Sequence, residues 1–161
     1  MPVLHLGVAD VPYSEAYKAG GKNLKDGERA HNATYGKGAT TGDVAEILEE
    51  KYGLFSAFFT AREQNICDAL ESSVSKALES MLMGAPVDYD AFGGANSRIE
   101  EMFKDFISSQ EAEQWVAGAP TGAAKKGVNH RLLHPYAKAN PRRPSFRDTG
   151  LMQASAKSWV D

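Results

Sequence analysis

The stretch LFSAFFTAREQNICDALESSVSKALESMLMG, Leu54 to Gly84, decides the fold. Phe55, Phe58, Phe59, Arg62, Ile66, Leu70, Val74, Ala77, Leu78, Met81 and Leu82 recur in it at helical spacing. Gly84 and Pro86 end it. A helix of about thirty residues spans roughly 45 Å at 1.5 Å per residue. That length exceeds what a domain of 161 residues commonly spans. A long helix with one apolar stripe therefore predicts packing against other subunits as well as against its own core. The crowded rings of Phe55, Phe58 and Phe59 read most simply as core. Their position at the start of the helix also makes them candidate subunit contacts.

Further helices flank this one. In TTGDVAEILEEKYG, Asp43 lies near the start, Val44, Ile47 and Leu48 share a face, and Gly53 is a stop. GAPVDYDAFGGAN reads as a loop. SRIEEMFKDFI opens with a capping box, Ser97 and Glu100, and places Ile99, Met102, Phe103, Phe106 and Ile107 on one face. SSQEAEQWVAG opens with a second box, Ser108 and Glu111. Trp115 and Val116 would dock it, and Gly118 would end it.

The ends of the chain read as extended. In VLHLGVADV, Leu4, Leu6 and Val8 share one face, and Val3, His5, Gly7 and Ala9 share the other. AKSWV near the C-terminus predicts a short strand beside it. Pro12 to Gly42 is rich in Gly, Lys and Asn without periodicity, and a structureless loop of that length is uncommon inside a compact domain. It is expected to be an arm held by a partner. The fold class is thus α+β: a long amphipathic helix plus shorter helices against a small sheet formed with the N-terminal strand, with long extended arms. One domain, 1–161, divides into an arm (12–42), a helical core (43–118), a basic Pro-rich arm (119–147) and a C-terminal turn and strand (148–161).

Charge is polarised along the chain. The segment from Ala119 to Arg147 carries Lys125, Lys126, Arg131, Lys138, Arg142, Arg143 and Arg147 and no acid. Pro135, Pro141 and Pro144 force extended backbone around them. The central helices carry Asp43, Glu46, Glu49, Glu50, Glu63, Asp68 and Glu71. Complementary charge between copies fixes register, so Lys125, Lys126, Arg131, Arg142, Arg143 and Arg147 are candidate inter-subunit docking residues. A solvated loop and a nucleic-acid contact are the competing readings. The second has few stacking aromatics to draw on, with only Tyr136 and Phe146 in the segment. The whole molecule, at a net charge of −3, has no nucleic-acid signature.

Three motifs suggest chemistry and fail on context. Asp148-Thr149-Gly150 matches the tripeptide around an aspartic-protease carboxylate. That chemistry needs two carboxylates sharing a proton in a dry site on a β scaffold. Here Arg147 precedes the aspartate in a helical chain, so Asp148, Thr149 and Gly150 read as the cap of a helical turn. His130 and His134 have a zinc-like spacing, but Pro135 disfavours a helix there and no third ligand is evident. In TYGKGATTG, Lys37 is followed by Gly38, and His31 stands where a phosphate loop needs its first glycine. No catalytic, cofactor or metal site is expected. The single cysteine, Cys67, permits no disulfide within the chain. No signal peptide or membrane-length apolar run is visible, so a soluble protein made in the cytoplasm is expected.

The order of a strand, a long helix, a second helical segment and RRPSFRDTGLMQAS near the end resembles the neck, or head–tail connection, proteins of tailed bacteriophages, including the tail-completion group. Thr149, Gly150, Leu151, Met152, Ala154 and Ser155 match the Thr-Gly element that introduces a helical turn in those proteins. TTGDVAEILEEKYG before a long amphipathic helix is also similar to phage virion proteins of this kind. The resemblance implies a non-catalytic α+β subunit in the virion neck, assembled into a six- or twelve-fold ring. Portal or adaptor proteins would lie on one side, and tail-tube or terminator proteins on the other. DNA passing the lumen would make only non-specific contacts. A tail terminator capping the tube is the alternative within the class, and a DNA-binding module using residues 125–147 the alternative outside it. Many relatives continue with further strands after the Thr-Gly element, whereas this sequence runs only to Asp161.

Overall fold

The computed structural model describes residues 2–13, 40–85, 90–129 and 132–161. Most of the expected Pro12–Gly42 arm, together with His31, Lys37, His130 and Arg131, lies outside them. The described chain is α+β. It runs β1 (Leu4–Val8), α1 (Thr41–Tyr52), α2 (Leu54–Leu82), α3 (Gly93–Ser108), α4 (Ala112–Trp115), α5 (Gly122–Lys125), α6 (Leu151–Ala154) and β2 (Ala156–Val160). No helix among the described residues is long and apolar enough to cross a membrane.

Local chemistry sets the corner between α1 and α2. Thr40 and Asp43 form a capping box: the Asp43 N–H donates to Thr40 Oγ1 (3.3 Å) and the Thr40 N–H to Asp43 Oδ2 (2.9 Å). Gly53, at φ 62°, ends α1 in the left-handed region that glycine tolerates. The chain turns there and re-enters a helix at once. Gly53 has no side chain to cap α2, and Glu49 supplies the acceptor instead. Its Oε2 receives the N–H of Phe55 (2.7 Å) and of Ser56 (3.3 Å), and its Oε1 receives the Ser56 hydroxyl. Glu49→Ala is therefore expected to lower stability by about 1 kcal/mol, as loss of a helix cap does. A thermal melt followed at a helical wavelength checks this, and an unchanged midpoint would contradict the capping role.

The core lies where the first half of α2 meets α3. Leu54, Phe58, Ile66 and Ala69 of α2 are buried against Ile99, Phe103, Phe106 and Ile107 of α3. Phe55 stacks on Phe103 with centroids 4.9 Å apart, and Phe58 meets Phe103 and Phe106 edge to face at 5.2 and 5.6 Å. Phe58 is thus wholly interior and unavailable as a subunit contact. Phe55 and Phe59 are partly buried in the same cluster.

Two expected capping boxes do not form. α3 begins at Gly93 with Phe92 before it, so Ser97 already lies inside the helix. Glu100 turns instead to β2, where it accepts the Ser158 N–H (3.1 Å) and faces Lys157 Nζ (3.6 Å). Ser108 ends α3, and its hydroxyl accepts from Gln153 Nε2 (2.6 Å). Glu111 pairs with Arg62 of α2. In one-turn α4, Ala112 and Val116 take the inward face at i and i+4. Trp115 therefore points away, 49% exposed, rather than docking.

β1 and β2 pair antiparallel with Leu4 opposite Val160, Leu6 opposite Ser158 and Val8 opposite Ala156. This joins the two ends of the chain, as their patterns predict. The inner face packs on α3, where Ser158 Oγ lies 3.4 Å from Asn96 Oδ1. On the outer face the Trp159 ring covers Gly7, and His5 stacks on that ring at 5.2 Å.

Candidate assembly surfaces

Three features stand apart from the core. The first is the far half of α2. Its last buried residue is Ala69, and the α3 start reaches it as far as Ser73. Beyond that point Val74, Leu78, Met81 and Leu82 are 38, 54, 51 and 88% exposed. Their spacing of i, i+4, i+7 and i+8 puts them on one face. The helix extends about 13 Å past Ser73 at 1.5 Å per residue.

The second feature is the basic segment. Its proline content suggested an extended arm, yet 119–129 and 132–147 fold back on their own subunit in short turns. Gly127, at φ 67°, lets the backbone of Asn140 and Pro141 approach so closely that a Cβ would lie 2.5 Å from their carbonyl oxygens. The Arg143 N–H donates to the Ala124 carbonyl at 3.3 Å. The deepest anchor is Glu113 of α4. Its Oε1 accepts the Ser145 N–H (3.0 Å) and the Ser145 hydroxyl (2.8 Å), and its Oε2 pairs with Arg142. The Glu113 side chain is 8% exposed and Ser145 is 1% exposed. Burial alone pushes the Glu113 carboxyl upward. The two hydrogen bonds from Ser145 and the charge of Arg142 outweigh it and hold the pKa below its ordinary value.

These contacts reassign the candidate docking arginines. Arg142 is engaged with Glu113. Arg143 donates to the carbonyls of Val128, Pro144 (3.1 Å) and Arg147 (2.7 Å) and lies 3.9 Å from Asp148. Both tie the segment to its own subunit, because acceptors within reach inside the chain satisfy them. Arg147 is partly buried, whereas Lys125 and Lys126 are exposed. Asp148 faces Arg143 and does not cap α6. Gly150, at φ 78°, holds the N-cap position, and the Thr149 hydroxyl accepts the Leu151 N–H (3.2 Å).

The third feature is a cleft of about 190 Å³ between α1, α5 and the turn before α6. Tyr52, Phe146 and Met152 give it apolar walls, and Arg143, Asp148 and Gln153 give it a polar side. Tyr52 meets Phe146 edge to face at 5.2 Å. Among the described residues no group of three or more His, Cys, Asp or Glu is placed to hold a metal ion. His134 is exposed. Glu113 and Ser145 escape sequence reasoning, since nothing local separates Glu113 from Glu111 two residues earlier.

Comparison with protein-family models, with curated proteins and with solved structures finds no match.

Proposed function

We propose that the chain is a structural subunit of a tailed-phage neck, assembling with its own copies into a ring of six or twelve between the head portal or adaptor and the tail. The observation that carries this reading is the exposed apolar face that Val74, Leu78, Met81 and Leu82 form on the far half of α2, turned away from the side that Phe58 and Ala69 bury. An exposed stripe of this kind marks a protein contact. A contact between unlike faces closes into a ring when its rotation permits. The Thr149–Ser155 element that resembles neck proteins supports the same reading. Lys125 and Lys126, both exposed, are basic candidates for a neighbour or for non-specific contact with DNA in the lumen.

Native mass spectrometry and negative-stain imaging of the full chain test it. The wild type is expected to form discrete rings, alone or with a portal or tail partner. Leu78→Glu combined with Met81→Glu is expected to abolish them while leaving helicity intact, because both side chains are exposed in the subunit. Rings that persist in the double variant would remove α2 from the ring wall. A protein that stays small with every phage partner, but binds duplex DNA with a steep salt dependence, would favour a DNA-binding module.

A further inference from the structure

The two edges of the small sheet are unlike. Val3 and Asp161 exchange both backbone bonds (2.8 and 3.1 Å), and the Ala9 N–H donates to Ser155 O (2.7 Å). In an antiparallel ladder such pairs alternate. His5 and Gly7 therefore bond across to β2, while the N–H and C=O groups of Leu4, Leu6 and Val8 point away from it. By the same alternation Ala156, Ser158 and Val160 point outward from β2. Glu100 takes the central one, the Ser158 N–H. Lys157 lies against the same carboxylate. The outer edge of β2 is thus guarded, in the way sheet edges are protected from unwanted pairing.

Among the described residues the β1 edge carries no such guard. Among the described residues no group bonds the outward N–H or C=O of Leu4, Leu6 or Val8. The strand LHLGV holds no lysine, acid or proline. Leu4, Leu6 and Val8 are only partly buried, although they belong to the inner, core-facing side.

We propose that β1 pairs antiparallel with β1 of a second copy about a two-fold axis at Leu6. The register follows from the outward groups. Leu6 faces Leu6 of the second copy, Leu4 faces Val8, and Val8 faces Leu4. Each pair exchanges two backbone bonds, so every outward group of the strand is satisfied. The inner faces then join into a four-stranded sheet in which leucines and valines lie side by side. On the outer face His5 falls beside Gly7 of the second copy, next to the Trp159 ring that covers that glycine. Pro2, which has no N–H, would come opposite Asp10 and ends the pairing there. The guarded β2 edge stops the sheet from growing further, so the pairing closes at two copies. This inference does not depend on the ring reading, since it uses a different surface and a different symmetry.

The full chain tests it. Native mass spectrometry is expected to show a species of twice the 17.4 kDa chain mass. Exposed Cys67 is first replaced by serine. Leu6→Cys should then cross-link two copies on oxidation, because hydrogen-bonded antiparallel partners lie about 5.5 Å apart between Cα atoms, within disulfide reach. Leu4→Cys should not, because the two copies of residue 4 are four residues apart along the strands, about 13 Å. Leu6→Pro removes an outward N–H and breaks no ladder bond to β2, though it also trims a side chain packed against the core; it is expected to give a monomer of unchanged helicity. A chain that is monomeric throughout a dilution series would overturn the proposal. So would equal cross-linking at positions 4 and 6, or a helical Leu6→Pro protein that remains dimeric. If Leu6→Pro loses its helicity, the cysteine comparison decides. A ring of six or twelve copies in which Leu6→Cys does not cross-link overturns the strand pairing and leaves the neck reading standing.

Discussion

Phe58→Ala is expected to destabilise the subunit by about 3–5 kcal/mol, the range for removing a large aromatic side chain from a packed interior. Phe58 is fully buried, and its ring is the hinge of the α2–α3 seam, meeting Phe103 at 5.2 Å and Phe106 at 5.6 Å. Truncation removes both edge-to-face contacts and leaves a cavity that rigid helices on either side cannot close. A domain of ordinary stability holds only about 5–15 kcal/mol in reserve, so a large part of it would be lost. Urea denaturation followed by circular dichroism measures the change. Phe59→Ala, at a partly buried site, should cost distinctly less. Equal losses at the two positions would contradict the described packing.

Glu113→Ala is expected to cost about 2–4 kcal/mol and to act on the basic segment rather than on the α2–α3 core. The change leaves the buried N–H and hydroxyl of Ser145 without their acceptor, and each unpaired buried donor costs about 1–3 kcal/mol. Arg142 contributes less, because its side chain is half exposed and water replaces the lost partner. Amide hydrogen exchange should rise most at Ser145 and at Thr121, whose N–H donates to Ser145 Oγ at 3.1 Å.

The same residue gives a pH dependence of defined sign. Glu113 has a folded pKa below its ordinary 4.5, so its stabilising effect is complete above that value. The effect is lost as pH falls through the lowered folded pKa. The wild-type chain should therefore weaken on acidification below about 4.5 by an amount that Glu113→Gln does not share. An acid limb identical in the two proteins would show that other carboxylates govern it.

Sequence periodicity located most regular elements, and the reason is local. The 3.6-residue repeat of Leu54–Leu82, Asp43 at the start of α1 and the stop at Gly53 depend on residues within one or two turns of each other. The alternation in β1 and β2 has the same character, as does the apolar stripe from Val74 to Leu82. The α+β class was legible for that reason. Helix starts were less so: the acid expected to close a capping box at Glu100 had a better donor on β2.

Partner choice among charges was decided elsewhere. Arg142 and Arg143 read as docking residues because their run contains no acid, yet Glu113 lies 29 residues before Arg142 and reaches it only through the fold. Glu100 meets the Ser158 N–H across 58 residues and so guards one sheet edge. A local pattern states which face of an element is apolar. Which long polar side chain satisfies which distant group depends on where the helices set the loops and strands. That geometry arises from packing Phe58 against α3, and tertiary structure alone supplies it.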